Sequence, residues 1–168
     1  MSIFRDLLAI KSFRESQAEA AVRVQREALR EAREAREAAE ALLKRLLREG
    51  LDHEMALYRD LCARIVRLRE IEDVQLAVAG LRQREAAQQD AVSAAQQHQN
   101  RATQQLDAAR AAHEEASRQK SKFVDLSRNF AEAQLRELER KEDLEMEEAA
   151  SVARDREDWE AHDPEAVA

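Results

Sequence analysis

Glycine and proline are almost missing: two glycines and one proline stand in 168 residues. That leaves little material for tight turns or hairpins. Gly50 and Gly80 lie far apart, so no glycine-rich loop exists to cradle a phosphate. Aromatic residues make up 4% of the chain, which argues against a compact core of the size that the length would permit. Cys62 is alone, which excludes a disulfide framework within one chain; it reads as a small seam or core residue. No stretch approaches the roughly 20 apolar residues of a membrane span. The opening MSIFRDLLAIKSFR is interrupted by Arg5, Asp6, Lys11 and Arg14 and has no unbroken apolar run of the signal-peptide kind. The expectation is a cytoplasmic protein without direct membrane insertion, reaching a membrane only through a partner.

Catalytic chemistry is missing in the same way. His53, His98, His113 and His162 are too scattered for a metal cluster. Glu49 and His53 share a helix face, but no second Glu-x-x-His unit completes a di-metal site. Carboxylates are plentiful, yet without a concave core none gains the desolvation that tunes a catalytic pKa. The reading is therefore no enzyme, with no catalytic, cofactor or metal residue to nominate.

Charge is abundant and unevenly placed. Asp, Glu, Lys and Arg form 38% of the chain, with a net of −7. Residues 136–168 hold thirteen acidic against five basic side chains, so the remainder is close to neutral. An acidic end disfavours nucleic acid, which needs a basic face to release counterions, and disfavours anionic membrane surfaces. A basic protein partner or simple solvation is left.

What the chain does have is helix-forming residues in a 3,4-spaced order. Ala, Glu, Arg, Gln and Leu dominate. Val78, Leu81, Val92, Ala95, Ala102, Leu106, Ala109, Ala116, Phe123 and Phe130 recur on one face. Glu85, Gln88, Gln99, His113, Lys120 and Ser127 fill the polar slots of that series. The first half carries Ala18, Ala28, Ala32, Ala35, Ala39, Leu42 and Leu46, then Leu57, Leu61, Ile65 and Leu68. A repeat every 3.5 residues keeps two helices facing each other. The Arg-Glu-Ala repeat from Arg30 to Ala41 drifts by about 60° per step, so it fixes register weakly.

The fold expected is all-α, an antiparallel two-helix coiled-coil hairpin with its turn near residues 69–74. Helix one would cover about 3–69, helix two about 72–155, and an acidic flexible tail about 156–168, all in one elongated unit. A turn near residue 72 gives nearly equal arms and makes Glu72 or Asp73 an acidic first-turn residue. Residue i would then face roughly 144 − i across the seam, setting Phe13 against Phe130, Ala28 against Ala116, Ala39 against Leu106 and Leu42 against Ala102. Gly50 would weaken helix one locally. A parallel coiled-coil dimer without reversal is the weaker alternative.

Residues 50–81 are the densest apolar stretch. Two readings stand side by side: the hairpin end packs itself, or Leu57, Tyr58, Leu61, Val74, Leu76 and Leu81 stay partly exposed and dock a partner.

Four strings carry a family resemblance. LCARIVRLREIEDV (Leu61 to Val74), AVAGLRQREAA after it, KSKFVDLS (Lys120 to Ser127) and RKEDLEMEE (Arg140 to Glu148) resemble the stalk proteins of type III secretion, the YscO family, which is similar in architecture to the flagellar protein FliJ. The resemblance implies a helical hairpin like the central stalk of rotary ATPases. It implies three partners: a hexameric secretion ATPase, the cytoplasmic domain of the export gate, and chaperones of translocator proteins. It would put Leu68 to Asp73 at the hairpin end, and Lys141, Glu142, Leu144, Glu145, Glu147 and Glu148 in an acidic C-terminal region. On that reading the open end, with Phe4, Phe13, Phe130, Lys141 and Glu145, contacts the ATPase, and the apolar hairpin end faces the gate or another protein. The alternative is a general coiled-coil chaperone or scaffold that binds other helical proteins.

Overall fold

The structure, a computed structural model, describes residues 2–162. Helix α1 runs Ser2–Cys62 and helix α2 runs Leu68–His162, with no strand among the described residues. The fold is an all-α helical hairpin. Its contacts divide the chain into two units, Phe13–Ala116 and Met1–Ser12 with Ser117–Ala168, each taken separately below.

In Phe13–Ala116 the reversal occupies residues 63–67, earlier than the expected 69–74. The reason is a helix cap. Glu70 stands three residues after Arg67, and its carboxylate accepts the Arg67 backbone N–H at 2.7 Å. This is the return half of a capping box, which satisfies a donor that the helix itself leaves unpaired. Arg64 Nη1 donates to the same carboxylate at 2.7 Å, tying the end of α1 to the start of α2. The cap is thus Glu70, and Glu72 and Asp73 lie further into the helix.

Moving the turn moves the register. Arg36 Nη1, where the expected register had residue 48, donates to Gln96 Oε1 at 3.3 Å. Gln88 Nε2 donates to the Ala39 carbonyl at 3.0 Å. The core joins Val22, Leu29 and Ala32 of α1 to Ala102 and Leu106 of α2, with Ala109 packed against it. Leu106 and Ala102 therefore cluster with Leu29 and Ala32, not with Ala39 and Leu42.

The α2 seam holds. Val78, Leu81, Glu85, Gln88, Val92, Ala95, Gln99, His113 and Ala116 are half-buried, around fully buried Ala102 and Leu106. In α1 the series needs three corrections. Ala35 is exposed and Arg36 takes its slot, as the drift of the Arg-Glu-Ala repeat entails. Ile65 and Leu68 lie at the turn and are exposed, since no partner helix passes there. With so few buried residues, each leucine contributing about 1.5–3 kcal/mol, the seam is a narrow one.

In the second unit, Phe4 stacks on Phe130 with ring centroids 4.9 Å apart and planes tilted by 36°. The expected partner of Phe130 was Phe13; the earlier turn brings Phe4 there instead. Lys11 Nζ donates to Gln119 Oε1 at 2.7 Å and sits 5.1 Å from the centroid of the Phe123 ring, a cation–π contact. Ala131 is half-buried, and every described residue of α2 after it is exposed. Pairs such as Arg140 with Glu137 at 2.9 Å support this unpaired helix locally. Residues 156–162, expected in a flexible tail, continue the helix; residues 163–168 lie outside the described residues.

Candidate partner-binding surfaces

The six residues nominated at the hairpin end separate by helix face. Leu57, Leu61, Val74 and Leu81 are half-buried along the seam. Tyr58, 46% exposed, and Leu76, 71% exposed, point to solvent. Ile65 is fully exposed, and Leu68, Leu51 and Met55 are largely so. The turn thus carries an apolar surface built from Tyr58, Ile65, Leu68 and their neighbours. Ile65 and Leu68 were missed as surface residues because a turn at 69–74 would have buried them. The sequence carries no signal that finds them: the spacing of Arg67 and Glu70 recurs at Arg69 and Glu72, and only the contact of the Arg67 N–H with Glu70 marks the helix start.

Electrostatics stiffen this turn. The Arg67 backbone N–H, then the Arg64 guanidinium, hold the Glu70 carboxyl below its ordinary value of 4.5. Glu70 and Asp60, both bonded to Arg64, raise that guanidinium in turn. Arg64 bridges Asp60 at 3.4 Å on α1 and Glu70 on α2, so one side chain spans the reversal.

A second polar feature interrupts the seam. Glu54 and Glu85 both pair with Arg82, at 2.5 and 3.1 Å. The two carboxylates are mostly covered, and Arg82 is half exposed. Beside them Leu46, Gly50, His53, Leu81 and Arg84 line an open cleft of about 250 Å³. Another cleft, of about 320 Å³, is rimmed by Arg26, Arg30, Arg33 and Arg110. Among the described residues no three His, Cys, Asp or Glu side chains converge as metal ligands. No helix among them is long and apolar enough to cross a membrane.

At the open end Phe4 is half-buried against Phe130, which remains 39% exposed. Phe13, in the other unit, is 62% exposed. Lys141 and Glu145 sit on the unpaired stretch of α2, one helical turn apart and exposed. Leu135, Leu138, Leu144, Met146, Val152 and Trp159 are exposed on the same stretch. Leucines and carboxylates thus stand exposed together on a stretch of helix against which no second helix packs among the described residues.

The model of the family "Type III secretion protein YscO" matches residues 4–152. The chain belongs to the YscO family. Among solved structures, the 2.8 Å crystal structure of type III secretion protein YscO from Vibrio parahaemolyticus is similar, at 25% identity and a TM-score of 0.82. The likeness covers 88% of this chain and 92% of that one. A comparison with curated proteins gave no match. The YscO match takes in the capped turn, the seam and most of the unpaired part of α2.

Proposed function

We propose that this YscO-family chain is a noncatalytic stalk and adaptor of a bacterial type III secretion apparatus. It would link the secretion ATPase ring to the cytoplasmic domain of the export gate and handle translocator chaperones, from the cytoplasmic side of the inner membrane. The observation that carries the reading is residues 132–162, a continuous helix exposed on every side, with leucines, Trp159 and an acidic excess. A helix of that kind gains its burial from another protein. Lys141 and Glu145, with the Phe4–Phe130 pair at its base, are the residues proposed to meet the ATPase. Tyr58, Leu76 and the neighbouring Ile65 and Leu68 are proposed to meet the gate or a chaperone. Leu57, Leu61, Val74 and Leu81 support that surface from the seam.

The test is a pull-down of the full chain with purified secretion ATPase and with the export-gate domain, together with ATP turnover. Binding to both, with turnover altered, supports the stalk. Binding to neither overturns it. Binding to chaperones with no effect on turnover points instead to the general helical chaperone.

A further inference from the structure

The arginine-rimmed cleft of the Phe13–Ala116 unit is not used by the proposed stalk function. Its floor is closed by Leu29 and Leu106, both buried, so its recognition chemistry is charge. Two of its four guanidiniums are already engaged. Arg30 pairs with Glu27 and Glu34, and Arg110 lies 4.0 Å from Asp107. Arg26 and Arg33 are exposed and carry no ion pair among the described residues. They are seven positions apart on one helix face, about 10.5 Å along the axis.

The complementary surface is on the same chain. Residues 132–162 hold twelve acidic against five basic side chains. Glu139, Asp143 and Glu147 recur every fourth residue, so they share a face and span about 12 Å. All three are exposed and carry no ion pair among the described residues. Two unneutralised arginines and three unneutralised carboxylates, matched in spacing, lie on two different surfaces of every molecule.

We infer that two copies of this chain associate head to tail, the Glu139–Asp143–Glu147 face of one lying along the Arg26–Arg33 cleft of the other. The contact is heterologous: the pair keeps one free cleft, on one copy, and one free acidic face, on the other, so the association extends beyond a pair as concentration rises. It rests on exposed ion pairs, each weak, and is therefore sensitive to salt. It does not depend on the secretion reading.

Sedimentation velocity of the full chain tests this at ionic strengths of about 0.01 M and about 1 M, where the screening length falls from about 30 to about 3 Å. The expected result is a weight-average mass at least doubled from 19.2 kDa at low salt and restored to it at high salt. The variants Arg26→Glu/Arg33→Glu and Asp143→Lys/Glu147→Lys alter exposed residues only, and circular dichroism confirms that each keeps its helix content. Each alone stays at the monomer mass at low salt. Mixed, the two recover association, because the intact face of one meets the intact cleft of the other and the reversed pair is again complementary. That recovery separates a specific contact from a general effect of net charge. A wild-type chain that stays monomeric at low salt overturns the proposal. So does a variant that still associates alone, or a mixture that does not recover.

Discussion

The carboxylate of Glu85 occupies the space where a side chain on residue 50 would begin: its Oε1 lies 2.6 Å from the position of a Cβ on Gly50. Gly50 is therefore more than a weak point of α1, because its missing methyl admits a seam carboxylate that Arg82 holds at 3.1 Å. At Gly80, by contrast, a Cβ would meet nothing within 4 Å. A helix-interior glycine costs about 0.5–1 kcal/mol relative to alanine. Gly80→Ala is expected to recover about that amount in urea denaturation. Gly50→Ala recovers less, because the methyl displaces Glu85, and Glu85→Ala restores the difference in the double variant. Equal gains from the two alanines would contradict the close approach.

The hairpin cap predicts a pH dependence. Glu70 is held below 4.5 by the Arg67 N–H and the Arg64 guanidinium, so its charged form is favoured in the folded chain. A depressed carboxylate contributes stability that is complete above its unfolded pKa and lost as pH falls through the folded one. Thermal midpoints of the wild type are expected to drop as pH falls below about 4.5, the ordinary value. Glu70→Gln lowers the midpoint at neutral pH and shows a smaller drop on acidification. A variant curve parallel to the wild type would remove Glu70 from the cap.

How much of this was legible follows from particular residues. The α2 seam could be read because its apolar and polar slots keep one 3,4 spacing from Val78 to Phe130, and packing follows that spacing. The turn could not. Residues 63–67, Ala-Arg-Ile-Val-Arg, contain no glycine or proline and two β-branched residues, so no turn signal marks them. Glu72 and Asp73 were the expected acidic first-turn residues, and Glu70, two positions earlier, is singled out only by the Arg67 backbone donor. From that one displacement followed the changes at Phe4, Arg36, Ile65 and Leu68. The partner surfaces were legible as apolar or acidic composition. Which of their residues face solvent depended on the register.

The Phe4–Phe130 pair tests that register. Aromatic pairs contribute about 0.5–1.5 kcal/mol beyond their area burial. Phe130→Ala and Phe4→Ala are each expected to lower amide protection across residues 2–12, with protection from Val22 to Ala32 unchanged. Phe13, largely exposed, is expected to tolerate alanine within about 0.5 kcal/mol. A loss of protection on Phe13→Ala equal to that on Phe4→Ala would favour a turn near residue 72 instead.

Gln99 supplies the last prediction, because it sits in a seam slot with a cost that no contact offsets. Its Oε1 is buried without a hydrogen-bond partner, as is Gln25 Oε1 on α1. A buried acceptor left unpaired costs about 1–3 kcal/mol, so removing it stabilises. Gln99→Leu is expected to raise the urea midpoint by the equivalent of about 1 kcal/mol with an unchanged slope, since the folded state keeps its two helices. Polar slots also disfavour alternative pairings, as a buried Asn does in a coiled coil. Replacing Gln25, Arg36 and Gln99 together by leucine should therefore add stability while permitting slipped partners. Engineered cysteines at positions 4 and 130 read this directly: they cross-link in high yield in the natural seam and in lower yield in the triple variant. A triple variant that cross-links as well as the parent would show that the apolar positions set the register by themselves.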